Sequence, residues 1–396
     1  MSKVLSSYKE ALRVAEELSA DFAATAVERD RKGGTPKKEK DAIRQSGLLN
    51  FFIAKELGGT GGTWAQLLTI IGKISRADSS LGHLYAFHNY QLATVRLFGS
   101  KKQWTALHKS TVENGWFWGN ALNQIRKDVV ATQKADGNYE WNGVKNFATG
   151  SKDSDYLTIT GSENTVEGKT LVAAIPTNRK GVIINDDWDN IGQRQTDSGT
   201  LVFENVIVNK SEILSDPGPL STPFSTARAL IGQLIFANLF LSIAQGAYKE
   251  AVNHIRGKET KPWLASLAPS AQKDPFILRH IGELWVKLEG ARLLTAKANA
   301  QIDPLWQKAE NLSEQERGEF AISAAAARVA ATQVGLELTS RIFEALGSRA
   351  TTSALGFDRF WRNLRTQTLH DPIDYKIYAL GDFVLNGTLP TPTFYS

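Results

Sequence analysis

Apolar residues recur at three- and four-residue steps from the start of the chain. Leu12, Val14, Ala15, Leu18 and Phe22 fall on one helical face with charges between them. Residues 3–112 read as helical in pattern. They are interrupted at Gly58-Gly59-Thr60-Gly61-Gly62, which predicts a flexible turn, and the helical pattern resumes over 64–98. From Trp116 to Val208 the texture becomes strand-like. The runs YLTIT (156–160), TLVAAIP (170–176), GVIIN (181–185) and TLVFENVIV (200–208) are β-branched or aromatic and are separated by Gly, Asn and Asp. Trp141-Asn142-Gly143 reads as a hairpin turn, because Asn-Gly readily takes positive φ. Residues 210–224, with Pro217, Pro219 and Pro223, read as a linker. Helical texture returns at Ser225 and stays; the alanine-rich run 321–347 is placed to end at Gly347. Helices, then strands, then helices, with no βαβ alternation, predict an α+β protein in three parts: 1–115, 116–224 and 225–396.

The stretch 229–248 (ALIGQLIFANLFLSIAQGAY) carries no formal charge and is long enough to be tested as a membrane span. Gln233, Asn238, Ser242 and Gln245 are costly in lipid, so a buried helix of a helical domain is the reading adopted, with no membrane. The opening segment lacks an apolar signal core, and a cytoplasmic protein is expected.

The chain has 396 residues, 42% hydrophobic and 22% charged, which are ordinary globular proportions. It has no cysteine, which removes disulfide scaffolds, thiolate metal centres and cysteine nucleophiles. The net charge of +5 is scattered, so nucleic acid is not expected, and a small anionic ligand is easier to accommodate. No phosphate loop, HExxH helix or GxSxG elbow is present, and no metal site is expected. His83 and His88 lie five apart, which puts them about 140° apart around a helix, so they cannot share a metal. His83, in an uncharged stretch, and His370, just beyond the Arg/Trp segment 357–363, have the surroundings that tune an imidazole for proton handling.

The phrases ATAVERDR (24–31), ADSSLGHL (77–84), WGNA (118–121), NDDW (185–188), GQRQTDSG (192–199), QLIFAN (233–238), GFDRFWRN (356–363) and TLHDP (368–372) run in order along nearly the whole chain. With the helix–strand–helix plan, they resemble the acyl-CoA dehydrogenase superfamily and, within it, the flavin-dependent dibenzothiophene monooxygenases of bacterial sulfur acquisition. The resemblance implies an N-terminal helical domain, a central β-barrel and a C-terminal four-helix bundle, assembled as a homotetramer. It also implies a two-component monooxygenase. Reduced FMN comes from a separate NADH:FMN reductase, O2 is the co-substrate, and oxygen passes from a flavin hydroperoxide to the sulfur of a small organosulfur compound. Such a protein must donate hydrogen bonds to the oxygen, exclude water and hold an apolar substrate. Where dehydrogenases of the superfamily carry a carboxylate base, this chain reads Arg365-Thr366-Gln367-Thr368-Leu369-His370, with no acid until Asp371.

Carried over by this resemblance, His370 would orient or protonate the oxygen species and His83 would support it or the substrate. Asn120 would lie near the flavin, where its amide can donate. Trp188 would line the pocket, and Arg349 would hold the FMN phosphate, reaching a neighbouring subunit's cofactor. Three positions differ from the dibenzothiophene enzymes: Phe87 stands for a tyrosine, Thr149 for a serine and Lys261 for a phosphate-binding arginine. The flavin site is thus expected to be kept and the substrate pocket to be altered. Thr149 joins the expected catalytic and flavin-binding set, Lys261 the flavin-binding set, and Phe87 the pocket with His83 and Trp188. Residues 258–276 are the expected lid. From the residues alone, Trp188 could be core, Asn120 a strand-end turn residue and Arg349 a helix-end cation. An acyl-CoA dehydrogenase, a flavin-dependent N-hydroxylase and a non-catalytic flavin-binding scaffold are the rival functions.

Overall fold

The computed structural model describes residues 3–123, 128–257 and 260–396. Five helices come first: α1 (Tyr8–Lys32), α2 (Lys37–Ser46), α3 (Trp64–Ala77), α4 (Ser79–Phe98) and α5 (Lys101–Asn114). Their starts follow local chemistry. The Thr63 hydroxyl caps α3 in a box with Gln66, and Ser100 does the same for α5 with Gln103. The glycine cluster before α3 is a turn but a tightly bonded one, because the Gly59, Gly61 and Gly62 N–H groups donate to Ala54, Ile53 and Phe51 carbonyls.

Among the described residues seven strands follow: β1 (Trp118–Ala121), β2 (Val130–Gln133), β3 (Tyr139–Lys145), β4 (Tyr156–Glu163), β5 (Thr170–Pro176), β6 (Val182–Ile184) and β7 (Leu201–Val208). They form one curled mixed sheet in the order β1-β4-β2-β3-β7-β6, with β5 on the other side of β4. β1 and β2 both pair with β4 in parallel, and the remaining pairings are antiparallel. The sheet wraps its own core of Trp141, Ile159, Ile175, Phe203 and Val206.

The expected hairpin turn at 141–143 is not a turn. Those residues lie inside β3, where the register with β7 shifts between Trp141 and Gly143. The positive φ belongs to a bulge: Gly143 has φ +133°, and a Cβ there would collide with the Asp128 carbonyl. The hairpin between β2 and β3 turns instead through Asp136-Gly137, where the Lys134 N–H donates to the Asn138 carbonyl.

Three long helices then form the bundle: α6 (Pro223–Arg256), α7 (Pro275–Lys308) and α8 (Glu314–Leu346); the shorter α9 (Asp358–Thr368) and α10 (Asp374–Asn386) complete it. The segment expected as a linker ends early, because Thr222 caps α6 and Pro223 opens it. Helix α6 is long and apolar enough to cross a membrane, but that stretch is wholly buried inside the protein. Its apolar character is explained by contact with α3, α4, α7 and α8 around it. Gly347 does close α8, donating its N–H to the Phe343 carbonyl.

Candidate active site

Helix α4 brings His83 into the junction between the first helices, the sheet and the bundle. The Asp78 carboxylate caps α4 by accepting from the Ser80 and Leu81 N–H groups, and Arg29 Nη1 holds that carboxylate at 2.7 Å. His83 is 7% exposed. One turn later on the same face, the Phe87 ring stands edge-on to it at 4.3 Å between centroids. Phe236 of α6 completes the wall: its ring lies 5.9 Å from that of His83 and 4.5 Å from that of His370. The two histidines therefore flank one phenyl ring, although 287 positions separate them in sequence. His83 is interior, whereas the His370 side chain, just past α9, is 40% exposed and stands at the mouth with the Tyr395 ring 5.8 Å away.

The polar side of the site comes from α9 and from the segment between β6 and β7. The spacing that buries Phe360 and Leu364 of α9 also turns Asn363 and Gln367 inward. Gln367 Nε2 lies 2.8 Å from His83 Nδ1. Asn363 Oδ1 accepts from the Gln193 N–H at 2.6 Å, and Gln193 Nε2 donates to Ser79 Oγ at 3.0 Å and towards the Asn363 carbonyl at 3.4 Å. Gln193 has φ +54°, and a Cβ on neighbouring Gly192 would collide with the Arg362 carbonyl, so glycine permits this close approach to α9. The Gln193 carbonyl accepts from Trp188 Nε1 at 2.7 Å, from Thr196 Oγ1 at 2.9 Å and from the Thr196 N–H at 3.2 Å.

From Thr196 the bonding continues through Ser198 Oγ to Thr149 Oγ1, which accepts at 3.0 Å. The Thr149 carbonyl in turn accepts from the Asn120 N–H at 3.0 Å. Trp188, Thr149 and Asn120 are thus joined to Gln193, whose side chain reaches Ser79 at the start of α4. The Trp188 ring is half-buried with Phe147 6.0 Å away, so it is a wall residue rather than deep core. The Asn120 side chain accepts from the Leu122 N–H at 3.3 Å, which is the strand-end turn role.

Burial without a counter-charge pushes His83 down to about 3; the charge of His370 adds to this and the Gln193 side chain opposes it. His83 is therefore neutral at working pH. His370 Nδ1 lies 3.0 Å from Asp371 Oδ1. Burial alone would raise the Asp371 carboxyl, but the hydrogen bond from His370 and the charges of Arg328, His370 and Lys376 hold it well below the usual carboxylate range. Gln233 Nε2 also donates to it at 3.1 Å. The acid nearest the site is thus ionised and fully engaged, unlike a carboxylate poised to take a proton from carbon. Among the described residues, His83 Nε2, Gln193 Oε1, Gln367 Oε1 and Arg328 Nη1 are buried with no hydrogen-bond partner. Four stranded polar atoms around one junction call for a polar ligand.

Lys261 and Arg349 are not part of this constellation. Both are exposed, past the C-terminal ends of α6 and α8. From Arg328, level with Asp371, to the end of α8 is 18 residues, roughly 27 Å at 1.5 Å per residue. The expected lid begins with residues 258 and 259, which lie outside the described residues. Its remainder exposes Trp263, Leu264 and Leu267 while Ser266 Oγ donates to Asp274 at 2.6 Å. Sequence reading missed Gln193, Asn363 and Gln367. The last two could have been found as polar residues on the apolar face of an amphipathic helix.

Family models describe the whole plan: the N-terminal, middle and C-terminal domains of acyl-CoA dehydrogenase match residues 9–110, 124–206 and 234–375. The probable FMNH2-dependent monooxygenase SfnC of Pseudomonas putida is 50% identical, over 98% of this chain and 97% of its own. The structure of the methanesulfinate monooxygenase MsuC from Pseudomonas fluorescens is also 50% identical, with TM-score 0.95, covering 97% of this chain and 99% of that one. FMN-bound TdsC, a dibenzothiophene monooxygenase from Paenibacillus sp. A11-2, is 40% identical with TM-score 0.92, over 98% of this chain and all of its own. The chain belongs to the acyl-CoA dehydrogenase family, in the branch formed by its flavin-dependent monooxygenases.

Proposed function

We propose that this protein is a two-component, reduced-FMN-dependent monooxygenase that adds one oxygen atom of O2 to the sulfur of a small organosulfur compound. The observation that carries the reading is the pair His83 and His370 on either side of Phe236, with the neighbouring acid locked in ion pairs. A dehydrogenase of the same fold needs a free base there, and Asp371 is not free. The stranded atoms of His83, Gln193 and Gln367 fit the polar edge of a flavin ring, and Trp188 and Thr149 fit its sides. When bound, reduced FMN supplies the electrons that activate O2, and a separate NADH-dependent reductase supplies the reduced flavin.

The chain's own residues do the rest. His83, neutral and interior, offers a hydrogen bond that does not change with pH. His370 stands at the mouth with its Nδ1 held by Asp371, so its Nε2 is the atom left to hold or pass a proton. Phe87, Phe236 and Tyr395 exclude water and narrow the space for substrate. Three rings in so small a span favour a compact substrate, a sulfinate or small sulfide, over a tricyclic thiophene. The decisive assay is turnover with reductase, NADH, FMN and O2, comparing methanesulfinate, a dialkyl sulfide and dibenzothiophene. Oxygenated product from the small compounds is expected; preference for dibenzothiophene would refute the size argument, and no product from any would refute the function.

We infer a homotetramer with shared flavin sites. Arg349 suits phosphate but lies more than half of α8 beyond Arg328, the partner of Asp371; with Lys261, past the end of α6, it would serve the flavin of a neighbouring subunit. Helix α7 turns Leu278, Trp285, Val286 and Leu293 outward, a stripe that a second copy would cover. A mass four times that of the 43.5 kDa chain by light scattering is expected. A reductase that draws on NADH supports a cytoplasmic location.

A further inference from the structure

Among the described residues, the buried arginines are answered by a carboxylate or by carbonyls, with one exception. Arg29 meets Asp78 at 2.7 Å, Arg359 meets Glu250 at 2.5 Å and Arg328 meets Asp371 at 3.4 Å, while Arg317 donates to the Pro390 and Ser396 carbonyls. Arg228, on the second turn of α6, is 8% exposed and faces no carboxylate. Its Nε donates to Thr94 Oγ1 at 2.8 Å, and its Nη1–Nη2 edge has no acceptor among the described residues. Rings hold the guanidinium plane, with Tyr90 at 4.4 Å and Phe98 at 5.8 Å. An aromatic face replaces water poorly, so this buried cation costs free energy that an oxyanion on its open edge would recover.

Contacts on two sides join Arg228 to the chamber. The Tyr90 ring is 5.6 Å from that of Phe87, which stands against His83. The Tyr90 hydroxyl donates to the Arg228 carbonyl at 2.9 Å, crossing α6 where Gly232 has no side chain; a Cβ there would come within 2.6 Å of that oxygen. Tyr395, whose ring lies 5.8 Å from His370, brings its phenol close enough to bear on the charge of Arg228. The unanswered cation thus lies one ring beyond Phe87. We propose that Arg228 determines substrate specificity, pairing its Nη1–Nη2 edge with the two oxygens of a sulfinate, so that the chamber takes an anionic sulfur compound in preference to a neutral sulfide or thiophene. A sulfinate is ionised at neutral pH and keeps a lone pair on sulfur, so one group can both bind the cation and accept an oxygen atom. The substrate role rests on the monooxygenase reading above; the unpaired cation does not.

The test compares methanesulfinate with dimethyl sulfide, an uncharged counterpart, in the full-length protein with reductase, NADH, FMN and O2. The wild type should prefer methanesulfinate. Arg228→Gln should raise KM for methanesulfinate about thirtyfold more than KM for dimethyl sulfide, and Arg228→Lys should recover part of that difference by keeping the charge without the fork. Equal changes on both substrates, or a wild type that prefers the sulfide, overturn the proposal. So does weaker flavin binding by Arg228→Gln with the substrate KM unchanged, which would assign the cation to the FMN phosphate. Should the variants fail to fold, the wild type decides alone. Methanesulfonate should then inhibit competitively, and dimethyl sulfone, similar in shape but uncharged, about tenfold more weakly or less. Equal inhibition by the two overturns the proposal. Calorimetry with methanesulfinate separates this site from the function: binding that Arg228→Gln abolishes, without turnover of any sulfur compound, leaves the anion site standing and removes the oxygenase.

Discussion

The chamber around His83 and the far end of the bundle around Lys261 and Arg349 are built on opposite terms. In the chamber, side chains are interior and bonded in sequence, from Gln367 through His83, and from Asn363 through Gln193 to Trp188 and Thr149. At the bundle end two cations stand in water, and the nearby loop exposes Trp263, Leu264 and Leu267. The difference separates what one chain completes by itself from what it offers to another. On the proposed function, chemistry at the ring is preorganised within the subunit, whereas grip on the phosphate would depend on assembly.

The largest effect expected of this contrast is at the chamber. His370→Ala should lower oxygen transfer about a hundredfold, within the usual span for losing a positioned acid or base, while peroxide release rises. Equal losses of product and peroxide would mean that FMN binding had failed instead. At the bundle end, Arg349→Ala should weaken reduced-FMN binding about tenfold, equivalent to about 1.4 kcal/mol, with little change in kcat at saturating flavin. Lys261→Ala should do the same to a smaller degree, since a point charge on a flexible stem gives less than a planar fork. Flavin titration by fluorescence separates these from the chamber variants. Trp285→Glu should lower the assembled mass and carry the flavin defect of Arg349→Ala with it; a dissociated protein with intact flavin affinity would break the comparison.

A smaller effect concerns stability. His83 is depressed to about 3, and His88 and His108 to about 4, all by burial. In the unfolded chain each titrates near about 6.5, so below that pH the unfolded state binds protons that the folded state refuses. Stability is therefore full above about pH 6.5 and falls as acid is added, by up to about 1.4 kcal/mol per histidine per pH unit. Urea unfolding at pH 7.5 and pH 5.5 should show the loss, and His83→Gln should reduce it by about a third.

The contrast also explains what could be read from the chain. Strands 156–163 and 170–176 were legible because β-branched runs and the Gly, Asn and Asp that bound them are local signals, and α6 because an uncharged helix has to be buried. The Trp141-Asn142-Gly143 signal was misassigned because a bulge and a hairpin turn make the same demand on φ, and only strand pairing tells them apart. His83, Phe87 and His370 were named, but that they share Phe236 is a fact of helix packing between α4 and α6, which no spacing encodes. Gln193 escaped notice because its importance lies in its backbone carbonyl and in a positive φ, neither of which has a residue-type signature.

That carbonyl has a consequence for how such enzymes diversify. By gathering three donors it yokes the indole of Trp188 to the hydroxyl ladder leading to Thr149, so a change there would disturb everything that handles oxygen. Phe87 and Tyr395 hang from other elements and touch the histidines only through their rings. Substrate preference is free to drift at those two rings while the oxidative machinery stays under a separate constraint, which is how one scaffold could serve sulfur compounds of very different size.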